Sequence, residues 1–369
     1  MDINKKLKIA LLVDQPHWTG IGVYAVNLYN LIKDYIDVEL IYLGAHYDDL
    51  SQYKKLNYIK HTKILYLIPK ILRYNYKMFS KDENYKDYII HYLGAYYPVN
   101  LIKENVIITV HDLVKDDYFL SLKNGPLEFS RSILRNRNLN RFKYILKNNP
   151  FIIAISNKTA RDINKINKTS KIKVIYHHID KERFKPREKS NAKKLLGLEE
   201  NINYLLSVGS SRPNKRLDLI KIFAESLPEE WILIKIGESI KSEKILNFKN
   251  VNIEKYPLFF NASEAYLHMS DDEGFGIPLL EALGSGIPII ARNTEINKEI
   301  LENYPIYLEE DTKKYYQKNM NDILQMIKAP SFKINELDKL LTKYDINNAR
   351  KAYLDFYNYV YNEIKDQFQ

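Results

Sequence analysis

Residues 270–288 read Ser-Asp-Asp-Glu-Gly-Phe-Gly-Ile-Pro-Leu-Leu-Glu-Ala-Leu-Gly-Ser-Gly-Ile-Pro, a glycine loop running into a helix that opens on a proline. Pro278 suits the first helical turn, where a missing N–H costs nothing. The amides of that turn, with the positive end of the helix dipole, suit a diphosphate. Gly274 and Gly276, flanking Phe275 and followed by Ile277, let backbone approach a ligand closely. Two carboxylates frame the loop, Glu273 before it and Glu281 within the helix, with seven residues between them. One can face a sugar and the other a ribose, the second being a device that dinucleotide-binding folds use at another position. A purely structural reading has Glu281 complementing its helix N-terminus and Glu273 capping it.

A second group of residues suits phosphate. The loop Val208-Gly209-Ser210-Ser211-Arg212-Pro213-Asn214-Lys215 carries two cations, and a phosphate pair needs such charges. Near the start, Thr19-Gly20-Ile21-Gly22 follows an apolar run, although Gly20 and Gly22 alone are a weak signal. The acidic pairs Asp116-Asp117 and Asp271-Asp272 lack the Asp-x-Asp spacing of a metal motif, and no cofactor or essential metal is expected.

These residues need strands and helices to hold them. Lys8 to Val13 is an apolar, β-branched run ending in Asp14-Gln15-Pro16, a strand and a turn. Residues 17–22 read as a loop, and Val23, Val26, Leu28, Leu31 and Ile32 follow at helical spacing. Further strands are expected at Val38–Leu43, Tyr88–Tyr92, Val106–Val110, Phe151–Ile155 and Lys173–Tyr176. A second series comprises strands at Tyr204–Val208, Trp231–Ile236, Val251–Ile253, Ala265–His268 and Pro288–Ala291, with a helix over Leu217–Leu227. Such alternation implies parallel α/β sheets. Arg183 to Lys194 is charged and poor in apolar residues, which marks a domain junction. Ile346 to Phe368 carries an apolar stripe at helical spacing and should be a terminal amphipathic helix.

The 369 residues exceed one ordinary core, so two domains are expected, with a cleft between them as a natural ligand site. Cysteine is absent, which excludes disulfides, thiolate metal sites and a cysteine nucleophile. No stretch reaches the ~20 apolar residues of a bilayer span, and the first residues run straight into a strand, so a cytoplasmic location is expected. A formal net charge of +10 points to anionic partners. Residues 53–81 hold eight Lys or Arg, no acid and several tyrosines, and residues 131–147 add six more basic residues. Such faces suit anionic lipid on the inner membrane face, or are plain solvated surface.

The Glu-Gly-Phe-Gly segment resembles, position by position, the signature of glycosyltransferase family 4, the group 1 glycosyl transferases with the GT-B fold and a retaining reaction. Weaker family marks follow in order over most of the chain. Residues 19–22 look like the family's glycine-rich loop, which approaches donor phosphates or acceptor. Thr109-Val110-His111-Asp112-Leu113 looks like its strand-end His-Asp motif, whose histidine lies beside the donor sugar. Lys215 falls on the family's diphosphate-binding position, whereas Arg212 sits closer to it than is usual in the family, with Asn214 where a basic residue is common. Residues 154–156 and 174–186 resemble the segments that close the first domain, except that His177-His178 stands where the family has Asn-Gly.

The resemblance implies two Rossmann-like domains facing across a cleft. Residues 1–185 with the returning helix 346–369 form the acceptor domain, and 186–345 the donor domain. It implies a sugar moved from a nucleoside diphosphate sugar to an acceptor hydroxyl with retention. His111 and Glu273 then serve the sugar, Glu281 the ribose, and Gly20, Gly22, Gly209, Arg212, Lys215, Gly274, Phe275, Gly276 and Ile277 the donor nucleotide. An inverting GT-B transferase or a sugar-nucleotide epimerase is the alternative within enzymes. A basic nucleic-acid-binding protein is the alternative outside them, and the absence of RNP, helix-turn-helix or zinc signatures argues against it, so no nucleic-acid partner is expected.

Overall fold

The computed structural model describes residues 7–15, 19–42, 54–55, 83–94, 104–113, 140, 143–148, 151–168, 171–329 and 334–365. It divides into two compact units: residues 1–118, 124–176 and 347–369, and residues 119–123 and 177–346. The change of unit at Tyr176–His177 precedes the charged 183–194 segment, which holds a short helix of its own.

The first unit is built on a parallel sheet of β1 (Lys8–Val13), β2 (Asp37–Tyr42), β3 (Lys54–Lys55), β4 (Ile89–Tyr92), β5 (Val106–Val110), β6 (Phe151–Ala154) and β7 (Lys171–Val174). Its order is β3-β2-β1-β4-β5-β6-β7, with every pair parallel. Parallel strands are covered on both faces and so read as unbroken apolar runs, as in Ile-Ala-Leu-Leu-Val of β1. One face packs α1 (Gly20–Ile32), which places Tyr24, Ala25, Leu28 and Leu31 in the core. The opposite face has its own core around Leu12, Ile90, Ile108 and Ile152, closed by Ile163 of α2 (Asn157–Asn164).

The second unit contains α3 (Lys189–Leu196), β8 (Asn203–Gly209), α4 (Leu217–Ala224), β9 (Trp231–Gly237), β10 (Ile245–Phe248) and α5 (Tyr256–Ala262). It continues with β11 (Ala265–His268), α6 (Ile277–Gly284), β12 (Ile289–Arg292), α7 (Glu295–Leu301), β13 (Ile306–Leu308), α8 (Lys313–Lys328) and α9 (Ile334–Lys343). Its sheet order is β10-β9-β8-β11-β12-β13, again all parallel. The last helix, α10 (Ile346–Ile364), buries Tyr353, Phe356, Tyr357 and Val360 in the core of the first unit.

Three expectations are corrected. The strand expected at Val251–Ile253 is absent; the edge strand is Ile245–Phe248, which pairs with β9, while Ile253 is 65% exposed. The strand expected at Lys173–Tyr176 lies at Lys171–Val174. Residues 20–22 are not loop, because Thr19 caps α1 by accepting from the Gly22 amide at 3.1 Å, and that places both glycines in the first helical turn.

Candidate functional site

In each sheet the chain starts in the middle and winds outward both ways, reversing between β1 and β4 in the first unit and between β8 and β11 in the second. Open parallel sheets bind ligands just beyond the carboxyl ends of the strands at such a reversal. Gly209 ends β8, and β11 leads directly into Ser270–Gly276. Lys215 and Glu273, 58 positions apart in the sequence, therefore meet in one crevice of the second unit.

There the Lys215 ammonium donates to the Glu273 carboxylate. Both side chains are largely enclosed, 19% and 13% exposed. Burial alone would raise the Glu273 carboxyl, but Lys215, with help from His268 and Ser270, holds it below the usual carboxylate range. Glu273 is therefore an anion at neutral pH and can accept hydrogen bonds from hydroxyls. Lys215 closes a single turn, Pro213–Lys215, its amide donating to the Arg212 carbonyl at 2.9 Å. Asn214 ties this turn to the Glu273 loop, donating from Nδ2 to the Asp272 carbonyl at 2.7 Å and accepting at its own carbonyl from the Asp271 amide at 2.9 Å.

A chain of ion pairs braces the same two loops. Arg216 Nη1 donates to Asp271 at 3.0 Å, Asp271 also pairs with Arg292, and Arg292 Nε donates to Asp311 at 2.7 Å. Arg216 holds φ +49°, a left-handed backbone that a non-glycine residue adopts at a cost. Its bonds to Asp218 and Asp271 offset that cost.

Gly276 caps α6 with φ +97°, and a Cβ there would stand 3.0 Å from Leu279 Cδ1. Pro278 has no amide and the Leu279 amide donates to the Gly276 carbonyl at 2.9 Å, so Gly276 and Ile277 supply the amides nearest the loop. Gly274 and Phe275 are buried, and Phe275 packs edge-on against His177 at 4.8 Å and Tyr344 at 5.8 Å. Phe275 thus anchors the loop, with His177 as one of its packing partners.

Glu281 occupies a different setting. Tyr256 Oη donates to its Oε2 at 2.7 Å, and Arg183 lies 5.2 Å from the Phe184 ring and 6.0 Å from the Tyr256 ring. Burial pushes the Glu281 carboxyl up to about 7, against the opposing pull of Tyr256 and Arg183. Two carboxylates on one loop-helix unit therefore differ in charge state, Glu273 ionised and Glu281 poised to titrate.

Sequence reading missed His268, at the end of β11. It is 4% exposed, its Nε2 has no hydrogen-bond partner, and burial lowers it to about 4. Its signal was a polar residue inside an otherwise apolar strand, where an unsatisfied group is costly.

In the first unit, His111 follows β5, and its Nε2 donates to the Leu93 carbonyl at 3.1 Å, because a carbonyl only accepts. Burial lowers it to about 4, so the ring is neutral and Nδ1 is left as an acceptor. Tyr24 of α1 stands edge-on at 4.9 Å. Behind it lies a buried polar network absent from the sequence reading. His91 bridges Tyr357 and Thr109, each at 2.7 Å, and Tyr24 Oη joins Thr109 at 3.1 Å and Tyr353 at 2.7 Å. Asp14, read from sequence only as part of a turn, is buried at the end of β1 and accepts from Tyr92 Oη at 2.6 Å. Gly20 and Gly22 lie in the first turn of α1.

The basic segments 53–81 and 131–147 lie largely outside the described residues; within them, Ile145 and Leu146 are buried and Tyr144 is 56% exposed. No described helix is long and apolar enough to cross a membrane.

Comparison with known proteins adds the following. Residues 188–331 match the family model described as glycosyl transferases group 1. The chain is 23% identical over 370 residues to the O-antigen chain mannosyltransferase RfbU of Salmonella typhimurium, covering 90% of this chain and 94% of that one. Among solved structures, the sucrose-phosphate synthase from Thermosynechococcus elongatus superposes with a TM-score of 0.74 at 16% identity, over 97% of this chain and 100% of that one. The Anabaena protein HepE in complex with UDP-glucose gives 0.62 at 15% identity, over 97% and 99% of the two chains. The two Rossmann-like units are those of a GT-B fold.

Proposed function

From the premise that this chain is a glycosyltransferase with a group 1 glycosyl transferase domain over residues 188–331, we propose that it transfers a hexosyl group, with retention, from a nucleoside diphosphate sugar to a hydroxyl of a glycan acceptor. The observation that carries the reading is the Lys215–Glu273 pair at the sheet reversal, beside the amide-bearing start of α6. Such a crevice offers a cation and amides to a diphosphate and a fixed anion to sugar hydroxyls.

In this reading the leaving diphosphate draws on Lys215, Arg212 and the amides of Gly276 and Ile277, which stabilise charge as the glycosidic bond to phosphate breaks. Glu273 orients the sugar, and Glu281, once ionised, accepts from two ribose hydroxyls. No protein nucleophile and no metal is assigned, and the leaving phosphate oxygen takes the acceptor's proton. His111 belongs to the other unit, and its assignment to the sugar rests on the motif resemblance and on its neutral, accepting Nδ1.

Likeness to a mannosyltransferase over nearly the full chain makes mannose the first donor sugar to screen. The test is a thermal-shift panel of UDP, GDP, ADP and their sugars, followed by product analysis by NMR. Stabilisation by one nucleotide class and a product with the donor's anomeric configuration support the reading; inversion overturns the retaining assignment. Association of 53–81 and 131–147 with anionic lipid is proposed on charge alone, and indifference to anionic liposomes at low salt would remove it.

A further inference from the structure

Strand β9, Trp-Ile-Leu-Ile-Lys-Ile-Gly, carries a lysine where its neighbours are apolar, and Lys235 has no exposed surface. An ammonium taken out of water is costly to bury unless it is paired or well bonded. Among the described residues Lys235 makes no ion pair; its Nζ donates to the carbonyls of Gly209 at 2.7 Å and of Ile236 at 2.8 Å.

The Gly209 carbonyl is a point of convergence. It also accepts from the Glu238 amide at 3.0 Å, and Gly237, at φ +100°, comes so close that a Cβ would stand 2.4 Å from it. Gly209 is itself packed by the Lys215 stem, whose Cδ lies 3.6 Å from where a Cβ would be. Because a trans peptide holds C=O and N–H antiparallel, fixing this carbonyl turns the Ser210 amide the opposite way. The same peptide begins the loop that ends in Lys215.

We propose that Lys235 is a positioning residue of the donor site, fixing the Gly209 peptide so that the 209–215 loop meets a diphosphate in one conformation, and setting a buried positive charge behind it. The proposal rests on the donor reading above. It explains why a buried cation with only carbonyl partners is kept: an incoming dianion offsets its desolvation. The charged groups whose fields reach Lys235 are Lys215, which disfavours its charge, and Glu238, which favours it; burial is the larger influence and brings it down to about 8. Charge at this position is thus lost just above neutral pH.

The experiment measures binding of UDP, GDP and ADP, and of the corresponding nucleosides, to the wild-type chain, Lys235→Met and Lys235→Arg across the window around pH 8. The methionine variant should bind the preferred diphosphate about tenfold more weakly, with nucleoside affinity unchanged. Wild-type diphosphate affinity should fall as pH rises through about 8, and the fall should vanish in both variants. Should Lys235→Met fail to fold, the wild-type profile and Lys235→Arg, which keeps its charge, decide the matter. Equal diphosphate affinity in wild type and Lys235→Met, or a flat wild-type profile, overturns the role of Lys235 and leaves the donor reading standing. Failure of the wild type to bind any of the three diphosphates overturns the donor reading and this proposal with it.

Discussion

The Lys215 ammonium bonds the Glu273 carboxylate, so the cation expected to meet phosphate and the anion expected to meet sugar hydroxyls neutralise each other across one crevice. The pair keeps two partly buried charges in place before a ligand arrives. A diphosphate that draws Lys215 toward itself frees carboxylate lone pairs for the sugar, which couples the two ends of a donor.

Replacing Lys215 by Met should therefore do two things. Diphosphate affinity should fall roughly 10- to 100-fold, the worth of one charge-assisted contact. The Glu273 carboxyl, left with burial as its main influence, should rise above the ordinary carboxylate range. Calorimetric titration with the preferred nucleotide checks the first, and undiminished affinity would remove Lys215 from the donor site. Adding Glu273→Gln to Lys215→Met should restore stability without restoring affinity, since the neutral amide no longer leaves an unpaired buried charge.

Glu281 gives a pH dependence of opposite sense to that of Lys235. Its carboxyl titrates near 7, and in the proposed role only the anion would accept from two ribose hydroxyls, so nucleoside affinity should rise as pH increases through about 7. Glu281→Gln should flatten that rise and bind more weakly above it. For stability the sign reverses: the folded state holds a proton that the unfolded chain releases near the ordinary carboxylate value, so the unliganded wild type loses stability as pH climbs toward 7. Glu281→Gln should thus be more resistant to urea than wild type at neutral pH. A variant that is less stable there would contradict the assignment.

His111→Ala should lower turnover far more than stability. The ring's hydrogen bond to the Leu93 carbonyl contributes only about 1 kcal/mol. Assay of transfer alongside urea denaturation separates the two effects, and an unaffected rate would remove His111 from the site.

The central strands were legible because parallel strands buried on both faces need predominantly apolar runs, and Lys8–Val13, Val106–Val110 and Trp231–Gly237 are such runs, each with a single polar residue. Edge strands were less so. Ile245–Phe248 is four residues long and buries only Ile245, whereas Val251-Asn-Ile253 shows the alternation of a strand without pairing. The glycine loop and helix at 274–284 were readable from local chemistry, whereas the Lys215–Glu273 contact depends on β8 lying beside β11, a long-range fact. His91, Lys235 and His268 escaped notice because each sits among apolar neighbours, where a single polar residue does not disturb the pattern.

Gly276 should tolerate no side chain. Its φ of +97° disfavours any L-residue, and a Cβ would press Leu279 at 3.0 Å. Gly276→Ala should cost roughly 1–3 kcal/mol and move the Ile277 amide, weakening diphosphate binding beyond what the stability loss explains. Comparing melting temperature with nucleotide affinity in the same preparation tests this; a variant destabilised but binding normally would show that the amides of this turn do not contact phosphate.

Acid should unfold the protein early, for a reason visible in three histidines. Burial holds His91 at about 3 and His111 and His268 at about 4, whereas an unfolded chain protonates each near 6.5. Between those values the unfolded state binds more protons, so stability present above 6.5 is lost as pH falls, by about 1.4 kcal/mol per pH unit for each histidine. Glu281 opposes this with a single proton over part of the same range. The net slope should be close to two protons below pH 6, and replacing His91 by Gln, which can still bridge Tyr357 and Thr109, should remove one of them. Urea midpoints taken from neutral pH downward measure the slope; an unchanged slope in His91→Gln would mean that His91 is protonated in the folded protein and that the network with Tyr357 and Thr109 is built around a cation.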